Sequence, residues 1–171
     1  PFAQKLAQAM VKKTVSAVVG SPMILNRAIE ALPEQCLLIL GFEGQTALVN
    51  AEYALGSQIC LNEEATDLGE GPGAHWLANR HNVSFKQSKA YASGLFTDTM
   101  EVAANWERLM PLYRNVRRSI SRDAFVMAHF SHAYPEGCSI YFTFAGAGSD
   151  PMRPDSILER YDRIWKRALT A

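Results

Sequence analysis

The stretch Phe125–Gly146, FVMAHFSHAYPEGCSIYFTFAG, constrains what this chain can fold into more than any other. Two runs rich in aromatic and β-branched residues flank Pro135, Glu136 and Gly137, the pattern of a β-hairpin closed by a short glycine-containing loop. A three-residue loop with Gly137 in the left-handed conformation sets Tyr134 opposite Cys138, Ser131 opposite Tyr141 and His129 opposite Thr143. Alternation then puts Phe130, His132, Tyr134, Ile140, Phe142 and Phe144 on one face. The other face gathers His129, Ser131, Ser139, Tyr141 and Thr143, a set of hydroxyls with one imidazole. That polar face is either the wetted side of a half-buried strand pair or the wall of a pocket. A loop one residue longer would flip one strand's set relative to the other.

The remaining chain supplies layers for such a hairpin. Residues Phe2–Val19 read as an amphipathic helix stopped by Gly20-Ser21-Pro22, and Met23–Leu32 as a second, shorter one. Leu37–Phe42 is wholly apolar and bounded by Pro33 and Gly44, which reads as a central strand. It feeds a helix over Gln45–Leu61, with Leu48, Ala51, Leu55 and Ile59 at helical spacing. An acidic, glycine-rich excursion follows over 62–90, with a short helix at Ala74–Asn79. Tyr91–Met100 reads as a strand, and Asn105 caps a helix over Trp106–Ile120 in which Pro111 marks a kink or a late start. After a loop over Gly146–Pro154, Asp155 or Ser156 opens the last helix, with a stripe of Ile157 or Leu158, Tyr161, Ile164 or Trp165, and Ala168. This order describes one α+β domain over 1–171, an antiparallel sheet with helices on one face, and a ferredoxin-like split βαβ is the nearest simple motif.

Composition excludes several classes. Lys plus Arg equals Asp plus Glu at 17 each, which argues against a general nucleic-acid or membrane-surface binder. Cys36, Cys60 and Cys138 form no CxxC pair, as in a reduced, cytoplasmic protein. No apolar run approaches the ~20 residues of a membrane span. A start at Pro1 with no signal peptide reads as a piece of something longer. His129 and His132 have HxxH spacing, but strand alternation points them to opposite faces, so no metal site is expected. Glycines 69, 71 and 73 lack the Lys-Ser/Thr ending of a phosphate loop, and no GxSxG or Cys/His nucleophile arrangement occurs. The arginines 114, 117, 118 and 122 suit the helix dipole near a C-terminus and read as a solvated face. Tyr141, flanked on its own face by hydroxyls, is either a proton donor or acceptor in an enclosed site or a tyrosine whose hydroxyl a neighbour satisfies.

The hairpin SHAYPEGCSIYFTF, with Glu101-x4-Trp106-Glu-Arg, Leu112-Tyr-Arg-Asn-Val116 and Gly71-Pro-Gly73 through Trp76 to Arg80, resembles the C-terminal domain of FAD-linked oxidases of the vanillyl-alcohol oxidase type. The branch it most resembles is alkyldihydroxyacetonephosphate synthase and its bacterial relatives, over Leu37–Ala171. The resemblance implies a sheet-and-helix cap over a flavin, with FAD held mainly by a separate domain and the cofactor-binding residues of this chain unknown. It implies Tyr141 as the catalytic acid/base, with His129, Ser131 and Thr143 as pocket residues and Arg80 or Lys86 neutralising a small-molecule substrate. The FAD-binding domain is the implied partner, and a homodimer is compatible with it. Two departures stand out. Phe85-Lys86-Gln87-Ser88 occupies the place of the family's Tyr-Leu/Ile-Arg-Asp, and the His-rich segment that normally follows the last helix is missing. The fragment alone is therefore expected to be inactive. Two other readings are the cap of an FAD-linked 2-hydroxy-acid dehydrogenase and a stand-alone ferredoxin-like binding or dimerisation module.

Overall fold

A computed structural model of the protein describes residues 21–32, 36–82, 88, 91, 94–148 and 155–171. The expected helix over 2–19 lies outside them, as do most of the Phe85–Ser88 segment and the loop over 149–154. Backbone contacts group the chain into two compact units, one formed by 1–35 with 86–171 and the other by 36–85.

The first unit holds the sheet. Strands β1 (Leu95–Asn105), β2 (Phe125–Ser131) and β3 (Gly137–Ala147) form an antiparallel sheet in the order β1-β3-β2. Helices α1 (Pro22–Glu30), α4 (Trp106–Ile120) and α5 (Asp155–Leu169) complete the unit. One sheet face carries the core. Phe96, Met100, Val126, Ile140, Phe142 and Phe144 are buried there against Leu109, Val116 and Ile120 of α4 and Ile164 of α5. Tyr113 of α4 stacks on Phe142 with ring centroids 6.1 Å apart and planes 8° from parallel. Asn105 ends β1 in an extended conformation, and its side chain accepts from Arg108 N at 3.2 Å, the cap its residue type foretells. The helix runs from Trp106 through Pro111, so that proline marks no late start.

The hairpin departs from the expected register, and the cause is local. Tyr134 and Gly137 exchange backbone hydrogen bonds of 2.8 and 3.3 Å, closing a turn over Pro135-Glu136 alone. Carried on unchanged, that turn would exchange the faces of one strand. Between it and the Ser131–Ser139 pair, His132 and Ala133 oppose the single residue Cys138, which is a β-bulge. His132 takes the left-handed conformation, φ 50°, that the sequence had suggested for Gly137. His129 therefore lies opposite Tyr141, not Thr143, and Ser131 opposite Ser139, not Tyr141. From Phe125 to Ser131 and along β3 the two faces keep their expected members, and His132, in the bulge, does not.

Helix α1 packs against the start of β2 and the turn before it. Asn26, 3% exposed, donates to the carbonyls of Ser121 (3.0 Å) and Ala124 (2.9 Å) and accepts from Val126 N (3.2 Å). These bonds satisfy backbone groups that a bare sheet edge would leave open.

The second unit contains α2 (Thr46–Asn62) and α3 (Gly71–Asn79). Leu37–Phe42, expected as a central strand, has no strand assignment. A strand is stable through its ladder, and this unit offers no strand among its described residues to pair with it. Leu37, Leu38 and Leu40 are accordingly exposed, as are Leu48, Leu55 and Ile59 of the α2 stripe. Phe42 packs edge-on to Tyr53 at 6.1 Å.

Candidate functional site

The sheet face opposite the core is polar and open. Parity along the strands places Thr97, Thr99 and Glu101 of β1, Ser139, Tyr141 and Thr143 of β3, and Met127, His129 and Ser131 of β2 on it. The pairing aligns Glu101, Tyr141 and His129 in one row across the three strands, with Thr99, Thr143 and Met127 in the next. Tyr141 stands at the centre with 37% of its surface exposed. Its phenol oxygen accepts a hydrogen bond from Thr99 Oγ1 at 3.2 Å.

The bulge adds a further group. His132 leaves the alternation, so the expectation that it points to the core side fails. Its Nδ1 lies 3.3 Å from Ser131 Oγ and 3.9 Å from Glu101 Oε1. Among the described residues no cluster of three or more His, Cys, Asp or Glu is arranged to hold a metal ion.

Of the residues singled out from sequence, the sheet brings together Tyr141, His129, Ser131 and Thr143. Arg80 belongs to the second unit, where its Nη1 donates to Leu77 O at 2.7 Å and its guanidinium lies 5.9 Å from the Trp76 ring centroid. Lys86 lies outside the described residues. Thr99 and Glu101 were missed as site residues. The expected strand stopped at Met100, whereas pairing with β3 continues to Asn105 and carries Glu101 into the row of Tyr141. The alternation Thr97, Thr99, Glu101 was the signal that could have found both.

No Lys or Arg occupies a described outer-face position of the three strands, and Glu101 adds a carboxylate. An array of hydroxyls, a phenol and an imidazole without cations suits an uncharged oxygen and a flat polar ring, and disfavours a diphosphate. The core side has one more polar feature. Tyr161 of α5 donates a hydrogen bond to Asp98 Oδ2, and this bond, with burial, raises the Tyr161 phenol above its ordinary range. The pair borders a groove of about 370 Å³ between β1 and α5.

An antiparallel three-stranded sheet with helices on its core face is an α+β fold, and it is the fold of FAD-linked oxidase C-terminal domains. Residues 3–171 match the family model described as FAD linked oxidases, C-terminal domain, and the chain belongs to that family. It is 26% identical over 151 residues to the alkyldihydroxyacetonephosphate synthase of Dictyostelium discoideum, covering 84% of this chain and 24% of that protein. It is 26% identical over 140 residues to the enzyme of that name from Trypanosoma brucei brucei, covering 78% and 22%. The chain thus spans about a quarter of the length of these curated relatives. Two solved structures of alkyldihydroxyacetonephosphate synthase share the fold. One has a TM-score of 0.65 at 21% identity over 88% of this chain and 29% of that one. The other has a TM-score of 0.58 at 22% identity over 74% and 24%. No helix among the described residues is long and apolar enough to cross a membrane.

Proposed function

We propose that this chain is the substrate-facing cap of a flavin-dependent enzyme of the alkyldihydroxyacetonephosphate synthase type. The observation that carries the reading is Tyr141 at the centre of an open polar sheet face, in a chain of this family. FAD, held by a flavin-binding domain, would supply the reactive isoalloxazine ring. The residues present fit the ring side of that group, where hydroxyls and a phenol can meet its polar edge. They do not fit its diphosphate, for which this face offers no cation. The chain alone is therefore expected to bind no flavin and to turn over no substrate.

Tyr141 moves a proton at the substrate oxygen. Its phenol is partly exposed, and Thr99 donates to one lone pair of its oxygen, so its own O–H remains to be donated. His129, beside it in the row, and Ser131 and Thr143 direct that oxygen by donating to it. Glu101 disfavours an anionic group at its end of the row, so the charged part of the substrate sits away from this face. The three cysteines are all unpaired, which supports a reducing, cytoplasmic setting for the same reading.

The test joins this chain to its flavin-binding domain and replaces Tyr141 with Phe. Turnover is expected to fall about a hundredfold or more, the usual contribution of a positioned acid or base, with the flavin absorbance unchanged. Unchanged turnover would retire the role.

A further inference from the structure

We infer that Thr99 is the positioning residue for Tyr141, an inference that rests on the reading of Tyr141 as the proton-transferring group. Thr99 Oγ1 donates to the phenol oxygen from the neighbouring strand, two residues before Glu101, which stands directly opposite. The phenol would otherwise rotate about two side-chain torsions on an open face with nothing to select its direction. A hydrogen bond from a fixed donor selects one.

Thr99 is itself held from the core side. Its backbone N–H donates to Asp98 Oδ1 at 2.8 Å, and the other oxygen of that carboxylate receives the hydroxyl of Tyr161 from α5. A continuous path thus runs through the sheet: the α5 phenol to Asp98, Asp98 to the Thr99 backbone, and the Thr99 hydroxyl to Tyr141. Thr99 is β-branched and stiff about its first side-chain torsion, so fixing its backbone fixes its hydroxyl. The ionisable groups around the Tyr141 phenol on these strands are Glu101 on β1, His129 on β2 and His132 just after β2. The hydrogen bond to the phenol comes from Thr99 and not from any of these.

The experiment uses the flavin-loaded enzyme containing this chain, with Thr99→Val, Thr99→Ser, Tyr141→Phe and the double variant Thr99→Val with Tyr141→Phe. Valine keeps the shape of threonine and removes the donor. Loss of one neutral hydrogen bond predicts a kcat lower by about three- to tenfold with KM unchanged. Serine should recover most of it. In the Tyr141→Phe background, Thr99→Val should cause no further loss, because the group it positions is gone. A ground-state readout accompanies the rates: the ring-carbon NMR resonance assigned to Tyr141 by its disappearance in Tyr141→Phe should move in Thr99→Val and return in Thr99→Ser. Equal loss with and without Tyr141 would make Thr99 a packing residue and overturn the inference. So would a wild-type rate or an unmoved resonance in Thr99→Val. If Tyr141→Phe itself keeps the wild-type rate, the reading of the site fails; a crippled Tyr141→Phe beside an active Thr99→Val removes Thr99 alone.

Discussion

Gly137 opens β3 where that strand passes the end of β1, and replacing it with alanine is the sharpest test of the hairpin geometry. A Cβ at this position would lie 2.1 Å from the Ala104 carbonyl oxygen and 2.8 Å from both Ala104 C and Asn105 Cα. All three are backbone atoms, so no rotamer change makes room. Reaching an ordinary contact of 3.4 Å means parting the strands by about 1.3 Å at this point. The bonds that such a shift loosens are Trp106 N to Glu136 O at 3.3 Å, Tyr134 N to Gly137 O at 2.8 Å, and the Trp106 indole to the Tyr134 and Pro135 carbonyls at 3.0 Å each. Two of these at about 1 kcal/mol apiece, with about 1–3 kcal/mol of overpacking, give a loss of about 3–5 kcal/mol. In a chain of this length the melting temperature should fall by roughly 6–20 °C. Urea unfolding followed by circular dichroism measures the loss of stability, and a thermal scan the shift in melting temperature. Gly137→Asn supplies the control, because asparagine tolerates the left-handed conformation but carries a Cβ. If the close approach is what demands glycine, asparagine is as damaging as alanine. His132→Gly should be neutral or stabilising by up to about 1 kcal/mol, since His132 holds the left-handed position. A mild Gly137→Ala, or an asparagine variant much more stable than the alanine one, would refute the steric argument.

Two further outcomes concern the elements behind the site. Tyr161 holds its proton more tightly folded than unfolded, because its hydroxyl donates to the Asp98 carboxylate. The native state then binds the extra proton. This contribution to stability is fully present below about pH 10, the unfolded phenol's range, and is lost as pH rises through the higher folded value. Tyr161→Phe should therefore be less stable than the parent at pH 8, with the difference shrinking above pH 10; equal stabilities at pH 8 would show the bond to contribute nothing. Asn26→Ala strands two carbonyls and one N–H at the start of β2 and the turn before it, and should cost about 2–4 kcal/mol by urea unfolding. A loss below 1 kcal/mol would mean that water replaces the side chain there.

Much of the sheet unit was legible because its residues obey one period at a time. The α5 stripe shows it: Ile157, Tyr161, Ile164, Trp165 and Ala168 all pack on the core, while Leu158, the other option for the first position, stays exposed. Asn105 was legible as a cap from its type and place alone. Leu37–Phe42 was not legible, because an apolar run of strand length records burial without naming a partner, and the ladder that would make it a strand is a long-range property. Glu101 was hidden for a related reason. The local sequence loses its strand character after Met100, and only β3, arriving from 40 residues further on, keeps β1 extended to Asn105.

The register of the hairpin shows how the two faces of a sheet can be read correctly from a pairing that is wrong in detail. The turn at Pro135-Glu136 is one residue shorter than the three-residue loop the sequence suggests, and the bulge at His132 adds one back. Side chains alternate with a period of two, so the two departures cancel in face and survive only in pairing. That cancellation decides what the polar face holds. Without the extra residue, the tight turn would exchange the faces of one strand against the other, setting the partners of Tyr141 into the core or Phe142 against polar side chains. Phe142 and Phe144 are fully buried, so the core decides the register and the polar face follows from it. The position of Tyr141 beside Thr99 and His129 is thus set by the apolar side of the same strand. A bulge residue in a strained conformation and a glycine pressed against a carbonyl are the local means by which both faces are satisfied at once.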